Sequence, residues 1–376
     1  MSKSAHSTLV SAQFAFKLFA ELTKSNIGNV FVSPTSVALA LALAYNGARG
    51  ETARAIARTL ELGEIGLDAL NHANAALIES LRALDPHVVL AIANSLWAQQ
   101  DISFAPGFLK SSQEFYRAEI ATLDFGNASA VATINAWVAG NTAGKIEKMI
   151  DQIDRSAVLF LINAIYFKGR WAKPFDPRRS REMPFMLSGG RQKQQPMMAQ
   201  TGKFDYYAIP GFQAISLPYG AGRVSMYIFL PEQRSSLRAF RRELSHKSWD
   251  TWLRHFRPSE GTIVLPRFKL AYEATLNDAF KALGMGIAFD PQRADFGGMI
   301  ADGKPSANID EVKHKTFVEV NEEGTEAAAV TSIGMLRTTM APQRNFSMIV
   351  DRPFFCAIRD NQNGALLFMG AITDPK

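Results

Sequence analysis

The residue types that most often carry chemistry give little here. The six histidines, His6, His72, His87, His246, His255 and His314, have no metal-ligand spacing. The one cysteine, Cys356, sits between Phe355 and Ala357, a setting for a small buried hydrophobe rather than a nucleophile, and it can form no intrachain disulfide. There is no Gly-x-Ser-x-Gly elbow, no Walker loop, no His-Glu-x-x-His helix and no paired Cys-x-x-Cys. Gly284-Met-Gly286 is too short for a dinucleotide fingerprint. These residues make no case for an enzyme and imply no cofactor.

One segment does have an unusual pattern. Residues 321–345 lie between two apolar runs, Phe317–Val320 and Phe354–Arg359, and so form a long connection inside a compact chain. With a period of two, one face carries Thr325, Ala327, Ala329, Thr331, Ile333 and Met335, all small or apolar. Such a face fits a tight slot between existing strands. The run Glu326-Ala-Ala-Ala329 suits a helix as well, and pattern alone leaves both readings open.

The elements that must position this segment read as helices first and strands later. Asn29–Ser33 is a short apolar strand ended by Pro34, and Val37–Tyr45 is a helix apolar on every side. Thr52–Leu60, Leu70–Leu84 and Ala130–Ile150 have helical periodicity. Val88–Trp97 is β-compatible, and Val158–Phe167 is an unbroken apolar run that suits a strand covered on both faces. Further strands are expected at Ala214–Tyr219, Val224–Phe229, Gly261–Phe268 and Ala365–Ile372, with helices at Leu237–Phe256 and Ala274–Leu283. This order indicates an α+β domain with large mixed sheets.

Composition fits one continuous domain over residues 1–376, or two tightly fused lobes, better than separate units on a linker. Apolar residues make up 47% of the chain and charged residues 20%, and no stretch reads as a linker or a repeat. The net charge is +6, with basic residues gathered at Arg178, Arg179, Arg181, Arg191 and Lys193, and again at Arg234, Arg238, Arg241, Arg242, Lys247, Arg254 and Arg257. Weak polyanion binding is one reading of these clusters, and a solvated face is the plainer one. Gln13 and Lys17 interrupt the apolar pattern of Met1–Ala20, so neither a signal peptide nor a membrane span is read there. A cytoplasmic location follows if the chain is complete, and an extracellular one if a leader was removed.

Asn321-Glu-Glu-Gly-Thr-Glu-Ala-Ala-Ala329 closely resembles the reactive-centre-loop hinge of inhibitory serpins. Asn29-Val-Phe-Val-Ser-Pro-Thr-Ser36, Ala93-Asn-Ser-Leu-Trp97, Ile134-Asn135 and Lys145-Ile146 resemble further signatures of that family, in its order. So do Leu161-Ile-Asn-Ala-Ile-Tyr-Phe-Lys-Gly-Arg-Trp171, Pro196-Met-Met198, Leu265-Pro-Arg-Phe268, Asp351-Arg-Pro-Phe-Phe355 and Leu367-Phe-Met-Gly370. The resemblance implies three β-sheets, about nine helices and an exposed loop at about 322–345. It makes Glu322, Glu323, Gly324, Thr325, Glu326, Ala327, Ala328, Ala329 and Val330 the hinge. Ser33, Ser36, Asn163 and His314 become a polar cluster, or shutter, beneath the central strands. Trp171 becomes the aromatic at the breach, where insertion begins.

The implied activity is inhibition of a serine or cysteine protease by a monomer that is cut and forms a covalent complex. The family spacing from Glu322 places the cut at Thr338–Thr339. Side-chain chemistry favours Arg337–Thr338 for a trypsin-like enzyme, and Leu336 suits subtilisin- or elastase-like enzymes. A non-inhibitory carrier or chaperone is the alternative within the family.

Overall fold

The computed structural model describes residues 12–301, 307–325 and 346–376. Its strands form two hydrogen-bonded sheets, and nine α-helices lie among the described residues. The six-stranded sheet runs, edge to edge, Phe268–Thr275, Ile309–Val320, Gly324–Thr325, Leu159–Arg170, Val88–Gln99 and Glu119–Leu123. Two of its twelve-residue interior strands, Ile309–Val320 and Leu159–Arg170, pair directly and in parallel over most of their length. Leu159–Tyr166 is buried without interruption, as expected for a strand covered on both faces.

The other sheet joins the second and third sheets expected from the resemblance. Its order is Val30–Val32, Leu366–Ile372, Phe354–Asp360, Val224–Pro231, Phe212–Tyr219, Gln192–Ile209, Arg257–Pro266 and Phe346–Ile349, with Arg181–Met186 also paired to Gln192–Ile209. The join is the long strand Gln192–Ile209. Its last residues pair with Phe212–Ser216, while Met197–Tyr206 pairs with Arg257–Pro266, so one strand serves both halves.

Between the sheets lies the helix Pro34–Tyr45, buried from Pro34 to Ala44. Ser33 caps it, its Oγ accepting the Ser36 amide, and Pro34 takes the first turn where its missing N–H costs nothing. Its C-terminal end is pinned by Asn46, which bonds Asn71 and Tyr116 on the helices Leu67–Arg82 and Pro106–Tyr116. The opposite face of the six-stranded sheet is covered by the helix Ser129–Asn141, which sets Ile134 and Val138 against a cluster containing Trp97, Phe160 and Tyr166.

The long helix expected over Ala130–Ile150 stops at Asn141, where Ala143 and Gly144 turn to φ 51° and 73°. Asn135 then ties the returning chain to the helix. Its Oδ1 accepts the amides of Met149 (2.7 Å) and Ile150 (3.0 Å), and its Nδ2 donates to the Ile150 carbonyl (2.9 Å). Asn135→Ala strands these backbone groups and is expected to lower stability by about 1–3 kcal/mol. A shift of the urea midpoint measures this, and an unchanged midpoint would refute it.

Candidate functional site

The site is built where the chain leaves Ile309–Val320. Asn321 starts a tight turn: its amide donates to the Gly324 carbonyl (2.8 Å), and its Oδ1 accepts the amides of Glu323 (3.1 Å) and Gly324 (3.2 Å). The turn sends Gly324–Thr325 back as a two-residue strand between its own predecessor and Leu159–Arg170. Thr325 lies opposite Val320 on one side and Gly169 on the other, and Gly324 lies opposite Arg170. A wedge of one strand's width is therefore already present at the top of an otherwise closed parallel seam.

Gly324 is required there. Its φ is +152°, and a Cβ would stand 2.0 Å from the Gly169 carbonyl oxygen. Glu322, 7% exposed, anchors the turn from the side. Its carboxylate accepts the Ser180 hydroxyl (2.6 Å) and pairs with Arg267 (3.4 Å). Trp171 holds the backbone, its amide donating to the Glu323 carbonyl and its Nε1 to the Asn321 carbonyl, both at 2.9 Å. The indole stacks on Tyr219, with ring centroids 4.3 Å apart, and the Tyr219 hydroxyl meets the Thr325 hydroxyl at 2.8 Å. Both residues of that hydroxyl pair are fully buried, and burial pushes the Tyr219 phenol well above its usual range, so it stays neutral.

Midway down the seam, His314 and Asn163 lie opposite each other on the two parallel strands. The Ser33 amide donates to His314 Nε2 (3.1 Å), so Nδ1 carries the proton and donates to Asn163 Oδ1 (2.6 Å). Asn163 Nδ2 donates to Asn94 Oδ1 and Ser36 Oγ, each 2.5 Å away. Burial lowers the His314 pKa from 6.5 to about 3, opposed weakly by the bond to Asn163. The imidazole is thus neutral and fixed in one tautomer. Thr316 adds a bond to the Phe31 carbonyl (2.6 Å), so this seam rests on the same strand–helix corner, residues 31–36, that supports both sheets.

A family model described as Serpin (serine protease inhibitor) matches residues 10–375. The chain is a serpin. Human leukocyte elastase inhibitor is 35% identical to it, with 96% of this chain and 98% of the relative covered. Serpin B6 of Macaca fascicularis is 36% identical, with 96% and 97% covered. Among solved structures, the native thermophilic serpin tengpin superposes with a TM-score of 0.90 at 29% identity, covering 97% of this chain and 94% of that one. Human thyroxine-binding globulin in complex with thyroxine superposes at 0.89 with 26% identity, covering 98% of each.

Of the residues singled out from the sequence of this serpin, Ser33, Ser36, Asn163 and His314 meet in one buried cluster. Trp171, Glu322, Glu323, Gly324 and Thr325 meet in another, at the top of the seam. Glu326, Ala327, Ala328, Ala329, Val330, Leu336, Arg337, Thr338 and Thr339 lie outside the described residues. Cys356 is fully buried, and burial raises its thiol pKa well above the usual range. The basic residues Arg178 and Arg179 are exposed on a short turn, whereas Arg241 is spent on the Thr23 carbonyl. Among the described residues, no group of three or more His, Cys, Asp or Glu side chains could hold a metal, and no helix is long and apolar enough to cross a membrane.

Sequence reasoning missed Tyr219, Gly169, Asn94, Ser180 and Arg267. Asn94, Gly169 and Arg267 lie within the signature strings quoted above and were not singled out there, and Gly169, a glycine just past an apolar run, carried a signal of its own. A Cβ there would come within 2.9 Å of the Tyr219 ring.

Proposed function

We propose that this serpin inhibits a serine protease as a suicide substrate. The observation that carries the reading is the docked strand Gly324–Thr325, which stands in the seam where an inserted strand would grow. The protease's nucleophile attacks the carbonyl carbon of the residue before the cut, the amine of the next residue leaves with a proton, and an ester joins the two proteins. The free end then continues the strand begun at Thr325.

Antiparallel growth from the observed register brings position 331 opposite both His314 and Asn163, so the bond between those two must part for the strand to pass. Insertion down to Arg337, or to Thr338 if the cut is Thr338–Thr339, at about 3.3 Å per residue, carries the attached protease tens of ångströms and distorts its oxyanion hole before hydrolysis completes. The likeness to leukocyte elastase inhibitor supports a protease as the partner. Arg337–Thr338 remains the preferred bond for a trypsin-like target, with Thr338–Thr339 and Leu336 serving the other cuts. The chain acts as a monomer and is not itself an enzyme, and its exposed arginines offer at most a weak site for polyanions.

Incubation with trypsin, subtilisin and elastase tests the reading. An SDS-resistant complex is expected, together with a released C-terminal peptide whose mass gives the bond. Cleavage without a complex, and without a rise in thermal stability of the cut chain, would instead support a carrier like thyroxine-binding globulin.

A further inference from the structure

The Tyr219 hydroxyl does something that packing alone does not require. The ring is already placed by its stack on Trp171 and by an edge contact with Phe167, 5.1 Å between centroids. Phenylalanine would fill that volume, while a buried hydroxyl must find a partner or lower stability. The recorded partner is Thr325 Oγ1. The crossing point is cleared for this contact from both sides, because Gly324 and Gly169 each occupy a position where a Cβ would collide, one with the Gly169 carbonyl and the other with the Tyr219 ring.

We infer that the Tyr219–Thr325 hydrogen bond is a latch that keeps the first strand residues docked in the uncut protein. Tyr219 is then a positioning residue that sets the register of insertion. The inference rests on the inhibitory reading above and adds a regulatory element to it. A new strand entering a closed seam must first part it and choose a register, and a slip of one residue would turn every side chain to the wrong face. With Thr325 already paired to Val320 and Gly169, both steps precede cleavage. Insertion then only propagates, and the race against deacylation starts from a formed nucleus. The latch therefore governs how many cleaved molecules end as complexes rather than as spent substrate.

The test uses the full chain with a protease that forms the complex, comparing Tyr219→Phe, Thr325→Val, Thr325→Ser and the double variant Tyr219→Phe/Thr325→Val. Loss of one buried hydrogen bond slows docking-dependent insertion by about 3- to 10-fold, so the ratio of plain cleavage to complex rises by that factor. The effect falls on this ratio and not on the rate of first protease binding. Thr325→Ser, which keeps the hydroxyl, restores the ratio, and the double variant is no worse than either single one. An unchanged ratio with a lowered thermal midpoint, or additive effects in the double variant, would overturn the latch. If the wild-type chain forms no complex with any protease, the inhibitory reading fails by itself. Hydrogen exchange over residues 317–325 of the uncut protein then decides the latch: faster exchange in Tyr219→Phe supports it, and equal exchange removes it.

Discussion

Thr325→Arg is expected to give a protein that proteases cut but that no longer traps them. Thr325 is fully buried between Val320 and Gly169, with its hydroxyl on Tyr219. A guanidinium in that slot would be a charge without a partner, a cost of several kcal/mol that docking of two residues cannot offset. The hinge is held out, insertion falls behind deacylation, and the acyl-enzyme hydrolyses. Gel analysis after reaction with trypsin should show full conversion to cleaved chain and no covalent band. A stable covalent complex formed by this variant would remove the insertion mechanism altogether.

The second large effect concerns pH. His314 is neutral and fully buried, its pKa lowered from 6.5 to about 3, so the unfolded chain binds a proton at pH values where the native one does not. The contribution of the neutral imidazole is complete above about 6.5 and is lost as pH falls toward 3, amounting to several kcal/mol over the whole window. Protonation would also break the bond from the Ser33 amide to Nε2, at the midpoint of the seam. The carboxylates whose pKa values are lowered, Asp85 and Glu51 among them, weaken the fold only at the acid end of this range. Between pH 6.5 and 4.5 the histidine therefore dominates these shifts. Thermal midpoints should decline through that interval in the wild type and stay flatter in His314→Asn; parallel profiles would refute the assignment.

The sequence revealed most where burial leaves a one-dimensional trace. The apolar run Val158–Phe167 and the all-round apolar helix after Pro34 were readable because both are enclosed. Helix ends were less so. The helix expected over Leu237–Phe256 breaks in two at Ser245, which caps the second half through a reciprocal pair with Ser248. The one expected over Ala274–Leu283 loses Ala274 and Thr275 to the edge strand Phe268–Thr275, whose period-two alternation of Phe268, Leu270 and Tyr272 with Lys269, Ala271 and Glu273 was a strand signal that sequence reasoning passed over. The segment proposed as the hinge shows in the sequence as a local string of small residues, Ala327 to Ala329, which lie outside the described residues. Tyr219 ends the strand Phe212–Tyr219, whereas Ser180 and Arg267 sit in short connections next to other strands, so only the folding of these distant stretches brings them to Asn321–Thr325.

The strand Phe346–Ile349 bears on how long the uncut molecule lasts. It pairs in parallel with Gly261–Val264, and Phe346 lies over Gly261 while stacking on Tyr206 at 4.0 Å. Because the far end of the loop is tied down here, an intact chain in the proposed mechanism cannot complete insertion unless this strand peels away. Storage life would then depend on a four-residue ladder and one aromatic stack, a local event that can fail while the rest of the protein stays folded.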